Sequence, residues 1–115
     1  MARRIAQIVH LKPSAVAAYK DCHANVWPEI LQQIHDCNIR DYSIFFDNDK
    51  TLFATFKYIG NDFEADMLKM RANPKVQEWW MMTDGMQESP NPGSTGSMDQ
   101  ETSWWKPLEE VFYTV

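Results

Sequence analysis

Apolar and polar positions alternate with a period of two from Arg4 to Leu11. Ile5, Gln7, Val9 and Leu11 fall on one side, and Ala6, Ile8 and His10 on the other. That spacing predicts a strand with one face more apolar than its opposite. Lys12-Pro13-Ser14 stops the strand and opens a helix, since proline is accepted at a helix start. The alanine-rich run from Ser14 to His23 continues it. Pro28 has no N–H to donate and would clash with the preceding turn, and it drives Trp27 out of helical geometry. A break is therefore expected near Ala24–Trp27. A second helix follows from Pro28 to about Cys37, with Glu29 facing the positive end of the dipole.

Ile39–Asp47 and Thr51–Ile59 are rich in β-branched and aromatic residues. They are separated by the polar turn Asp47-Asn48-Asp49-Lys50, which predicts a hairpin. Asn61-Asp62 caps a helix to about Arg71, with Phe63, Met67 and Met70 on one face. Asn73-Pro74 restarts a helix through Val76, Trp79 and Trp80 to Asp84, and Gly85 ends it. Gly85–Pro107 holds three of the four glycines and three of the six prolines. It predicts a loop of uncommon length for a compact domain, the kind that serves as a lid or binding loop. Trp104-Trp105 argues that its end is anchored. Leu108–Val115 alternates again and predicts a terminal strand.

The order is β-α-β-β-α-β, with each helical unit in two pieces. It matches the split βαβ arrangement: an α+β, ferredoxin-like two-layer sandwich with a four-stranded antiparallel sheet and helices on one face. One domain spanning residues 1–115 is expected at this length. The strands carry apolar side chains on both faces, Tyr42, Ile44 and Phe46 against Ile39 and Phe45, and Leu52, Ala54 and Phe56 against Phe53 and Ile59. The face away from the helices would lie open to water. It is expected to hold a pocket closed by the long loop and to pack on a second subunit. The result would be a two-fold homodimer of the dimeric αβ-barrel type.

Composition narrows the partners. Lys plus Arg is 11 and Asp plus Glu is 16, a net charge of −5. That balance disfavours nucleic acid and anionic membrane surfaces, which call for basic patches. No apolar run reaches the ~18 residues of a membrane-spanning helix. The stretch Ile5–Leu11 is too short and too polar for a secretory segment, so the cytoplasm is the expected location. Cys22 and Cys37 lack the spacing of a zinc cluster and read as free thiols.

Tyr19 and His23 are four apart, one turn apart on a helix face. At a helix C-terminus the dipole favours imidazolium, which suits an acid. A boundary histidine making one structural hydrogen bond is the plainer reading. Tyr42 is either a cross-strand packing residue or a hydroxyl aimed into the open sheet face. Trp79 and Trp80 point about 100° apart on a helix, so one enters the core while the other is free to line a cavity. Flat aromatic faces suit the C–H surfaces of pyranose rings. His10 and His35 carry weaker cases, on the sheet face and at a solvated helix end. No GxGxxG, P-loop, HExxH or GxSxG motif occurs.

The segment Tyr19-Lys20-Asp21-Cys22-His23-Ala24-Asn25-Val26-Trp27-Pro28-Glu29 resembles the L-rhamnose mutarotase family. Asp41-Tyr42-Ser43-Ile44, Trp79-Trp80 and the ending Leu108-Glu109-Glu110-Val111-Phe112-Tyr113 extend the resemblance to nearly the whole chain. It implies a dimeric ferredoxin-like protein that interconverts the anomers of L-rhamnose without cofactor or metal. It also implies His23 as proton donor and Tyr19, Tyr42, Trp79 and Trp80 as sugar contacts. Apart from the resemblance, mutarotation needs a second proton relay, for which Tyr19 or a water is the candidate. The Gly85–Pro107 loop is longer than in bacterial members. The alternative from another class is a non-catalytic small-molecule-binding or interaction module on the same fold.

Overall fold

The computed structural model describes residues 2–115. Its elements are β1 (Arg3–Leu11), α1 (Val16–Ala24), α2 (Pro28–Asp36), β2 (Ile39–Phe46), β3 (Thr51–Tyr58), α3 (Phe63–Ala72), α4 (Pro74–Asp84), β4 (Gln87–Glu88) and β5 (Lys106–Pro107). A short tight turn, Pro13–Ala15, leads into α1. The breaks fall where proline places them. Trp27 is extended at φ −59°, ψ 136°, and Pro28 opens α2. Asp62 caps α3 by accepting from the Ala65 N–H. Asn73 caps α4 by accepting from Lys75 and Val76. Gly85 ends α4 at φ −64°, without a left-handed turn.

The strands form an antiparallel sheet in the order β2-β3-β1-β4, with β5 also on β1. The hairpin turn is held by Asp47, whose Oδ1 accepts from the backbone of Asp49, Lys50 and Thr51. On β3, Leu52, Ala54, Phe56 and Tyr58 are buried under the helices while Phe53, Thr55 and Lys57 face outward. The register sets Ile5 opposite Phe56 and Val9 opposite Leu52, so those β1 residues share the covered face. On β2 a bulge between Arg40 and Ser43, with Asp41 at φ 52°, breaks the alternation. The extra residue keeps Ile39, Tyr42 and Ile44 together on the covered face.

Two parts of the chain differ from the pattern-based expectation. Leu108–Val115 is not a strand. Only Lys106–Pro107 pair with β1, followed by one Leu108 N–H bond to the Ala6 carbonyl. Beyond that the tail lies against Arg4, which pairs with Glu110 at 2.9 Å and sits over the Tyr113 ring. Period-two spacing is present and β1 continues to Arg3, but past Leu108 the tail is held to it through the Arg4 side chain and not through a backbone ladder. The Gly85–Pro107 stretch, in turn, is more than a loop. Glu88 pairs with His10 and Lys106 with Ile8. β4 and β5 are thus two pieces of one edge strand, and residues 89–105 stand where a single residue opposite Val9 would otherwise sit.

The core has two centres. One gathers Ile30, Ile39, Phe56, Met70, Val76 and Trp79, and the other Val9, Leu11, Tyr19 and Leu52, with Trp104 and Trp105 packed on it. Gly60 is required by close approach: a Cβ there would stand 2.8 Å from the Asp66 carboxylate and collide with the Tyr58 hydroxyl.

Candidate active site

A cavity of about 740 Å³ lies between the sheet and the helices. Its walls include His23 from α1, Tyr42 from β2, Trp79 and Trp80 from α4, and Trp104 and Trp105 from the excursion. The expectation that a pocket would occupy the open sheet face is therefore corrected. The β2 bulge turns Tyr42 toward the helices, and the helical layer stands off the sheet far enough to leave the space. The open face carries a smaller hollow of about 370 Å³ beneath the tail, lined by charged groups such as Arg4, Asp41, Lys57 and Glu110. It contains no histidine.

His23 is the one histidine on the cavity wall. Its Nδ1 lies 3.0 Å from the backbone carbonyl of Tyr19 and 3.2 Å from the Cys22 Sγ. A carbonyl can only accept, so Nδ1 carries the hydrogen and Nε2 is left with its lone pair. Burial lowers the imidazole pKa, and the hydrogen bond to Tyr19 only partly opposes it. The imidazolium expected from the helix dipole is thus not the resting form. Desolvation under Tyr19 and Trp79 outweighs the partial charge of a helix end. The Trp79 ring meets His23 edge-on at 5.3 Å, and Trp27 meets Trp79 at 5.1 Å, so a chain of aromatic contacts holds the imidazole in place.

The other sequence-selected residues take distinct positions. Tyr19 is buried, 5% exposed, and stacks behind His23 with centroids 4.1 Å apart. It supports the wall and is not on it. Burial raises its pKa, with nearby Tyr42 as the next contribution. Tyr42 stacks on Phe56 and keeps 38% of its surface open. Protein around its phenol pushes the pKa up to about 12, so it stays protonated and able to donate. Trp79 is core, and Trp80 is half-buried beside it. His35 lies exposed near Asp36, and His10 is paired on β1 with Glu88, so neither joins the site.

The excursion supplies residues that sequence reasoning missed. Ser97, Asp99 and Ser103 reach the cavity wall. The segment is held by its own polar side chains. Asn91 Nδ2 donates to the Ser103 and Trp105 carbonyls. Asp84 accepts from both the N–H and hydroxyl of Ser97. Asp99 accepts from the backbone of Thr102, Thr95 and Glu101, which lowers its pKa to about 2. Gln87, only 3% exposed, bridges the Trp104 indole and the Tyr19 hydroxyl. No periodicity marks a buried polar residue just after a helix end, so Gln87 had no sequence signal. Among the described residues, no three His, Cys, Asp or Glu side chains gather as a metal site.

The family model described as L-rhamnose mutarotase matches residues 4–114. An L-rhamnose mutarotase of Phocaeicola vulgatus is 40% identical over 91 residues, covering 77% of this chain and 85% of that protein. One from Formosa agariphila is 38% identical over 112 residues, 96% of each. The crystal structure of an L-rhamnose mutarotase from Formosa agariphila superposes with a TM-score of 0.74. It covers 98% of this chain and 99% of that one at 32% identity.

Proposed function

The chain belongs to the L-rhamnose mutarotase family, and on that footing we propose that it interconverts the α and β anomers of L-rhamnose. The observation that carries this reading is His23, neutral and fixed in one tautomer, facing an aromatic cavity with a free Nε2.

The chemistry needs proton transfer and little else. Opening a pyranose removes the proton of the anomeric hydroxyl and places one on the ring oxygen. Both oxygens are bonded to C1, so a single nitrogen reaches both. In this mechanism His23 Nε2 takes the hydroxyl proton, and the imidazolium so formed donates it to the ring oxygen as the C1–O bond breaks. The aldehyde turns about C1–C2. Closure on the other face runs the same steps backwards, with the ring hydroxyl proton returning through His23 to the anomeric oxygen. In opening His23 accepts from the anomeric hydroxyl and donates to the ring oxygen, in closing it does the reverse, and no cofactor enters the balance. Tyr42 donates to a sugar hydroxyl, Tyr19 holds the imidazole from behind, and Trp79 and Trp80 present apolar surface to the ring and the 6-deoxy methyl. A positioned acid–base group of this kind typically contributes about 10²–10⁴-fold.

The test is anomer exchange of L-rhamnose followed by NMR saturation transfer. The unaltered protein is expected to accelerate exchange, and His23→Gln is expected to lose about 10²-fold or more. A folded His23→Gln that exchanges anomers at the full rate would remove His23 from the mechanism. A protein that binds the sugar without accelerating exchange would be a binding module.

The proposal extends to the assembly. Residues 2–115 build their strands into a single sheet and are read as one domain. On the open sheet face Phe45, 61% exposed, pairs with Phe53, which pairs with Ile8. A second copy packed on this row would form the two-fold homodimer. Phe45→Asp is expected to yield a monomer by sedimentation. No helix among the described residues is long and apolar enough to cross a membrane. The cytoplasm remains the proposed location, consistent with the two free thiols.

A further inference from the structure

Gln87 is a buried polar residue with no part in the mechanism above, and its two partners sit in different layers of the protein. Its Oε1 accepts from the Trp104 indole N–H at 2.9 Å. Its Nε2 lies 3.4 Å from the Tyr19 hydroxyl. Trp104 belongs to the excursion between β4 and β5, and Tyr19 to α1. Gln87 itself is anchored through β4, where it pairs with Leu11.

The chemistry of the partners settles the direction of every hydrogen. An indole N–H only donates, so the amide oxygen must face Trp104. The amide nitrogen then faces Tyr19, and it too only donates. Tyr19 Oη is therefore an acceptor toward Gln87, and its own hydrogen points away from Gln87. Tyr42, which lies on the cavity wall, adds to the upward shift that burial gives the Tyr19 phenol. The Tyr19 ring is at the same time the surface on which His23 stacks.

We propose that Gln87 is a positioning residue for the anomerisation. Locked by Trp104, it orients the Tyr19 phenol and holds its ring against His23, and so ties the order of the 89–105 excursion to the geometry of the imidazole. The catalytic consequence rests on the mutarotase reading, whereas the orientation itself does not. Gln87 touches no reacting atom, and its effect passes through Tyr19.

The experiment compares Gln87→Met and Gln87→Glu with the unaltered protein. Methionine fills similar space and makes neither hydrogen bond. Glutamate still accepts from Trp104 but presents an acceptor to Tyr19, which reverses the phenol. Both are expected to lower kcat for L-rhamnose anomer exchange by about tenfold, the worth of one neutral hydrogen bond, with KM within about twofold. The His23 ring resonances report independently of activity. In Gln87→Met their titration midpoint is expected to rise toward the ordinary histidine value as the imidazole loosens and hydrates, and the slowly exchanging Trp104 indole N–H signal is expected to be lost. Gln87→Met that is folded by circular dichroism, with unchanged kcat and unchanged His23 titration, overturns the proposal. If Gln87→Met does not fold, Gln87→Glu decides by the same two readouts. An unaltered protein with no exchange activity overturns the mutarotase reading and the catalytic consequence together, and the two resonances then judge the orientation alone.

Discussion

The His23 ring lies against the Tyr19 ring with centroids 4.1 Å apart and 25° between planes, while the His23 Nδ1 lies 3.0 Å from the Tyr19 carbonyl. One residue thus supplies the imidazole with a flat support through its side chain and a hydrogen-bond acceptor through its backbone. The spacing of four on α1 makes both possible. Together they leave Nε2 as the free nitrogen.

The buried neutral state of His23 has a definite pH signature. Its folded pKa lies below the ordinary 6.5 because of burial. The unfolded chain therefore takes up the proton first as pH falls. The stability due to the neutral ring is fully present above about pH 6.5 and declines as pH drops toward the folded value. Between about pH 7.5 and about pH 5, Tm of the unaltered protein is expected to fall further than that of His23→Gln, by differential scanning calorimetry. The acid limb of kcat is expected to have its midpoint below 6.5. Equal slopes of Tm against pH for the two proteins would contradict the assignment.

The paired tryptophans separate stability from recognition. Trp79 is 6% exposed and packs on Ile30, Phe56 and Val76, so Trp79→Ala is expected to cost about 3–5 kcal/mol in urea unfolding. Trp80 is only half-buried. Trp80→Ala is expected to stay folded and to raise KM for L-rhamnose. A Trp80→Ala protein with unaltered KM and kcat would take Trp80 out of the sugar site.

Asp84 joins the end of α4 to the excursion through the N–H and hydroxyl of Ser97. Asp84→Ala removes both bonds at once. Limited proteolysis is expected to cut residues 89–105 of this variant sooner than the parent, with KM for L-rhamnose raised because Ser97 and Trp104 line the cavity. Cleavage at the parental rate would show that the other bonds of the segment suffice.

Gly60 occupies a place that admits no side chain. A methyl group would meet the Tyr58 hydroxyl and the Asp66 carboxylate, which are themselves hydrogen-bonded. Gly60→Ala is expected to lower stability by about 1–3 kcal/mol in urea unfolding, by displacing groups that cannot both move aside. Activity at low temperature should be retained, since His23 and Tyr42 lie elsewhere.

Most of the fold was legible because it follows from local rules. Pro28 and Asn73-Pro74 divide the helices where a missing N–H dictates, and Asp62 caps α3 through its own side chain. The hairpin is written in Asp47 and in the β-branched and aromatic residues on either side. The tail departs from the expectation because alternation in Leu108–Val115 describes a chain ready to pair, whereas past Leu108 it meets β1 through the Arg4 side chain, bound to Glu110 and lying over Tyr113, and not through backbone bonds. The position of Tyr42 depended on a bulge at Asp41, which no spacing announces.

By itself the sequence determined which residues could carry chemistry: a histidine and a tyrosine on one helix face, a strand tyrosine and a pair of adjacent tryptophans. It also determined the order of strands and helices from β1 to α4, because propensity, capping and proline geometry act over a few neighbouring residues. Only the tertiary structure decided that the cavity lies beneath the helices, that Tyr19 stands behind the imidazole, and that His23 rests uncharged. Burial, tautomer and the polarity of the Trp104–Gln87–Tyr19 chain arise from groups far apart along the backbone. Their energies come from excluded water and fixed hydrogen-bond direction, which exist only once those groups have been brought together.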